Sequence, residues 1–164
     1  MTPGATPGHT PEERRAHVNH QQPVPDLRAW LTGGWTVERT LWDRGSGTRG
    51  TFTGVAHFSE TPDGGLHYRE DGTLAWGSHR GTASREYLLE PTDTADAMDM
   101  FFPDGRPFHR FSFSPSAAQD RHWCDPDDYA VSYRWLGPDS FAYSWDVHGP
   151  AKDLLLESTL RREP

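Results

Sequence analysis

From Trp35 onward the chain alternates apolar and polar residues with period two, and short turn-forming sequences interrupt the alternation at regular intervals. Such alternation belongs to strands with one buried face. It predicts strands over 35–43, 50–59, 65–74, 81–89, 97–102, 108–113, 119–124, 129–136, 141–148 and 152–161. The connections Arg44-Gly45-Ser46-Gly47, Pro62-Asp63-Gly64, Pro103-Asp104-Gly105, Gly137-Pro138-Asp139 and Gly149-Pro150 carry the residues that tight turns require. No helical pattern is long enough for a crossover, so neighbouring strands must pair antiparallel, and closing the sheet removes its edges. The expected fold is all-β, an antiparallel meander barrel of roughly ten strands. Ahead of it, Asp26 caps a short helix over Leu27–Leu31 that Gly33 and Gly34 stop, a plug for one barrel end. Residues 1–25 are rich in Pro, Thr, His and charge without apolar periodicity, and read as a flexible tail before one domain over 26–164.

Fixing one inward residue per strand fixes its alternate neighbours. Trp35 brings Val37, Arg39 and Leu41 inward; Phe52, Gly54, Ala56 and Phe58 follow, then Leu66, Tyr68, Glu70 and Gly72, and Ala83, Arg85, Tyr87 and Leu89. The later strands contribute Met98, Met100 and Phe102, His109, Phe111 and Phe113, and His122 with Cys124. Tyr129, Val131, Tyr133 and Trp135, Phe141, Tyr143, Trp145 and Val147, and Leu154, Leu156 and Leu160 complete the interior. It is expected to be aromatic but not dry.

Composition narrows the function classes. Seven Trp, eight Phe and five Tyr call for a core built from large rings. The formal charge of −8, with no long basic run, disfavours a nucleic-acid partner. The single Cys124 leaves no disulfide framework or cysteine-rich zinc module. The N-terminus has no apolar core of a secretory signal and no stretch is long enough to span a membrane, so the expectation is a cytoplasmic protein with no membrane partner. High Gly, Pro and Ala with few Lys suggest a bacterial source. The outward strand residues are mostly Thr, Ser, Arg and Glu, which shows no dimer patch and leaves the oligomeric state open.

Leu31-Thr32-Gly33-Gly34-Trp35 resembles the entry of the lipocalin-like (calycin) superfamily, a short helix followed by Gly-x-Trp at the start of the first strand. The resemblance implies that Trp35 closes the barrel floor and that Arg161 or Arg162, at the end of the last strand, packs on it. Within that superfamily the chain is most similar to a bacterial group carrying a domain of unknown function. Its segments are Asp104-Gly105-Arg106-Pro107-Phe108-His109, His122-Trp123-Cys124-Asp125 with Asp128-Tyr129, and Gly149-Pro150-Ala151-Lys152-Asp153. The resemblance spans residues 27–162; it implies a fold and leaves the activity open. There is also some similarity to nitrobindin-type haem-binding barrels, without a haem-ligand motif that can be placed.

Two inward arginines, a glutamate and two histidines need a reason, because an unpaired polar group in a barrel core costs roughly 1–3 kcal/mol. One reason is an internal network in which Arg39 or Arg85 pairs with Glu70 and tyrosines complete the bonds. The other is a hydrophobic or aromatic ligand carrying a carboxylate or phenol, held by Arg39, Tyr68, Arg85, Tyr87, Tyr129, Tyr133, Tyr143 and Trp145. An acid–base enzyme without a cofactor, an isomerase, cyclase or dehydratase, would use Glu70, His109 and His122. Haem or a metal is a further alternative, though His122 and Cys124 alone are too few ligands, and no cofactor is expected.

Overall fold

The computed structural model describes residues 24–114, the backbone of 119–124, and residues 127–164. The helix α1 (Leu27–Leu31) is followed by ten strands: β1 (Gly33–Asp43), β2 (Arg49–Glu60), β3 (Leu66–Trp76), β4 (His79–Pro91), β5 (Ala97–Phe101), β6 (Pro107–Ser112), β7 (Gln119–Cys124), β8 (Asp127–Gly137), β9 (Ser140–His148) and β10 (Asp153–Arg162). Every described ladder is antiparallel, and they join the strands in the order β6-β5-β4-β3-β2-β1-β10-β9-β8-β7. Strands one and ten pair, so the meander curls round into a barrel whose ends, β6 and β7, face each other without a described ladder between them. The anticipated barrel is therefore present, nearly closed. Of the stretch assigned to a tail, residues 1–23 lie outside the described residues, and Val24 is buried in the core.

A sheet that curls round into a barrel requires its strands to bend. Gly54 and Gly72 sit directly opposite each other across β2 and β3. A Cβ on Gly54 would strike the Asp71 carbonyl oxygen, and one on Gly72 would strike the Thr53 carbonyl oxygen and the Phe52 ring. Only paired glycines let the two backbones approach this closely.

Alternate hairpins lie at alternate ends of a meander, which gives the barrel a closed and an open end. At the closed end α1 starts at Asp26, whose side chain accepts from the Ala29 amide at 3.2 Å. Leu27 and Leu31 are fully buried there against Trp35, Phe141 and Leu160. The Arg162 guanidinium lies 4.3 Å from the Trp35 ring centre and donates to the Trp30 carbonyl at 2.8 Å, so Arg162 is the arginine that packs on the floor tryptophan. At the opposite end the inward residues Leu41, Leu74, Ala83, Leu154 and Leu156 are only half-buried. That end is the mouth.

Alternation fails in the strands nearest the unpaired ends of the sheet. Trp135, expected inward, is 37% exposed near the end of β8, still opposite Phe141 and just before the β8–β9 register shifts toward Gly137. In β6 both Phe108 and His109 are buried.

Candidate functional site

Four strands bring the polar interior residues together from across the barrel, one from each of three strands and two from β3. Arg39 comes from β1, Tyr68 and Glu70 from β3, Arg85 from β4 and Tyr143 from β9. The Arg39 guanidinium meets the Glu70 carboxylate end-on, Nη1 to Oε1 at 2.6 Å and Nη2 to Oε2 at 3.0 Å. This is the two-pronged geometry that suits arginine to carboxylates. Arg39 Nε donates to Ser158 Oγ at 2.7 Å and Nη2 also reaches Tyr143 Oη at 2.5 Å. Tyr68 donates its hydroxyl to Glu70 Oε2. Glu70 is 2% and Arg39 5% exposed, so the pair is internal, and each Arg39 nitrogen has an acceptor.

Arg85 is bound differently. Its Nη2 donates to Tyr143 Oη at 2.7 Å, and its Nε lies 2.5 Å from Glu70 Oε1 with the N–H turned out of hydrogen-bonding alignment. The guanidinium stacks 4.4 Å over the Trp145 ring, and the side chain keeps 21% of its surface exposed. Two guanidiniums thus share one carboxylate, which leaves one positive charge in excess.

The electrostatics follow from this crowding. Burial raises the Glu70 pKa, but the Arg39 hydrogen bond and the Arg85 and Arg39 charges outweigh it, and the carboxyl lies below its ordinary value. Burial pushes the Tyr68 phenol well up and the Tyr87 phenol up. Burial works against the charge on Arg39 and Arg85, yet their acidic and phenolic neighbours hold both above the ordinary arginine value.

A second group stands apart from this belt. His109, from β6, places Nε2 2.6 Å from Tyr133 Oη of β8, and Tyr133 stacks on Phe111 with ring centres 3.8 Å apart. Tyr133 touches Tyr143 at 5.5 Å between centres, and His109 touches Trp145 at 6.1 Å, so rings connect the two groups where no described hydrogen bond does. Tyr129 is half-buried against Phe108 and Trp145 toward the mouth. The side chain of His122 lies outside the described residues. Among the described residues no cluster of three His, Cys, Asp or Glu is placed to hold a metal ion, and no helix is long and apolar enough to cross a membrane.

The rings fill the interior. Tyr68, Tyr87, Tyr133, Tyr143 and Trp145 enclose, with Phe58, Met100, Phe111, Phe141 and Leu160, a void of about 10 Å³. That is room for a single water. Ser158 escaped the sequence reading, although it lies two residues from both Leu156 and Leu160 on the same face; a search for apolar periodicity steps over a small hydroxyl.

No curated protein matches the sequence. Solved structures resemble it in fold. The S-type phycobiliprotein lyase CPES from Guillardia theta superposes with a TM-score of 0.58 at 10% identity, covering 88% of this chain and 94% of that one. The redesigned β-barrel mFAP1 bound to DFHBI gives 0.44 at 17% identity, covering 82% and 97%. A protein of unknown function of the DUF3598 family from Nostoc punctiforme gives 0.46 at 8% identity, covering 83% and 49%. The model of a family of unknown function, DUF6314, matches residues 31–162, the whole barrel from the end of α1 to the floor arginine, and the chain belongs to that family.

Proposed function

We propose that the barrel binds a small hydrophobic or aromatic compound bearing a carboxylate or phenol, with Arg85 as its charge partner. The observation that carries this reading is the unequal satisfaction of the two arginines. Each Arg39 nitrogen has an acceptor in Ser158, Glu70 or Tyr143, so Arg39 and Glu70 form the internal network. Arg85 adds a second cation to a carboxylate already neutralised, and it is the one with exposed surface. An anion arriving from the mouth would balance it. The half-buried aliphatic residues Leu41, Leu74, Ala83, Leu154 and Leu156 supply the apolar wall such a compound needs. The rest of the interior is full, so the ligand seats above the belt and shifts rings to go deeper. A cytoplasmic setting fits this reading.

Calorimetric titration with para-isopropylbenzoate and with the neutral para-isopropylbenzyl alcohol tests it. The acid should bind and the alcohol should bind at least tenfold more weakly, and Arg85→Met should erase the difference. Equal binding of acid and alcohol, or no binding of either, overturns the reading.

The acid–base alternative keeps one favouring observation, the short buried contact of His109 with Tyr133. Glu70 contributes little to it, because a carboxylate held by Arg39, Arg85 and Tyr68 with a lowered pKa is a poor base.

A further inference from the structure

The interior contains an indole donor that the fold does not use. Trp145 is 7% exposed, and its Nε1 has no hydrogen-bond acceptor among the described residues. An indole N–H can only donate, and leaving it buried and unpaired is costly. The other buried tryptophan among the described residues follows the rule: Trp35 Nε1 donates to the Leu31 carbonyl at 2.8 Å. Trp30, beside it, donates to the Pro138 carbonyl at 3.0 Å. Trp145 is the exception, and it lines the internal void rather than the barrel wall's hydrogen-bond network.

The Arg85 guanidinium sits 4.4 Å over the same indole, with its Nε already against Glu70 Oε1 at 2.5 Å. The adjacent acceptors are committed: Glu70 to Arg39 and Tyr68, and Tyr143 Oη to both arginines. An unpartnered indole donor beside a cation, in a core whose neighbouring acceptors are occupied, marks a place for an acceptor from outside the chain. A phenylalanine would fill the same space against Tyr87, Phe108 and Tyr143 without this defect.

We propose that Trp145 Nε1 is a specificity-determining donor, and that the ligand carries, in addition to its anionic group, an uncharged carbonyl-type acceptor that takes this hydrogen bond. The inference rests on the binding reading above and narrows it: the compound is an aryl or conjugated acid with a second, neutral oxygen or nitrogen acceptor. Sites that offer a buried donor discriminate against analogues lacking the matching acceptor, because the donor is then left unpaired.

The test uses the full chain and two probes of similar shape, para-acetylbenzoate and para-isopropylbenzoate. The acetyl compound should bind the wild-type protein roughly tenfold more tightly. The Trp145→Phe variant should bind the two alike. In proton–nitrogen correlation spectra, the indole signal that is lost in Trp145→Phe should move downfield with the acetyl probe and stay with the isopropyl probe. Equal affinities on the wild-type protein together with an unmoved indole signal overturn the donor assignment while leaving anion binding intact. Failure of both probes to bind overturns the inference together with the reading beneath it. Should Trp145→Phe not fold, the ratio of the two affinities on the wild-type protein decides alone.

Discussion

Glu70 anchors two guanidiniums in a core of rings, and its own proton affinity reports how strongly. Its pKa in the folded chain lies below that of the unfolded chain, so the unfolded state binds the proton first as the solution is acidified. The stabilisation is complete above the unfolded carboxylate value of about 4.3 and is lost as pH falls through the folded value. Glu70→Gln should remove that dependence and strand two buried cations, at a cost of about 3–5 kcal/mol. Urea unfolding of both proteins between about pH 7 and about pH 3 checks this: the wild-type curve should fall in acid toward the flatter curve of the variant. At this scale the sequence was informative. Period two placed Arg39, Tyr68, Glu70, Arg85 and Tyr143 inside, and all five meet. What alternation could not assign was which arginine is satisfied, because that depends on side-chain reach across the barrel rather than on the face a residue occupies.

The elements depend on where backbones are allowed to touch. Gly72→Ala drives a Cβ into the backbone of β2 and into the Phe52 ring, so it should destabilise the barrel by roughly 1–3 kcal/mol. Gly81→Ala meets only the far end of the exposed His79 side chain and should stay within about 0.5 kcal/mol of the wild type. Thermal unfolding of the two variants gives the comparison. Strand positions were readable because turn residues punctuate a steady alternation; the ten expected segments correspond to β1–β10 within a few residues at each end. Trp135 was not readable, since the apolar pattern does not mark where a strand runs past the packed interior toward the barrel's rim. Phe108 and His109 in β6 show the same limit, as both neighbours are buried at the edge of the sheet.

For the whole molecule, the sequence indicated a barrel with a helix at one end, and the structure adds which end is shut. Arg162 over Trp35, with Trp30 and α1, seals one mouth and leaves the aliphatic one open. The free volume inside was not legible, because a sequence states which face a ring occupies but not how rings from opposite strands interdigitate. That volume has a mechanical consequence. Pressure unfolds proteins largely by eliminating the voids they enclose, and the aromatic core of this barrel encloses about 10 Å³. Hydrostatic compression should therefore be a poor denaturant of the chain alone, as high-pressure tryptophan fluorescence would record. A guest that pushes the rings apart must swell the molecule by about its own bulk, and because that bulk leaves the solvent as it enters, squeezing the complex should shift its binding little.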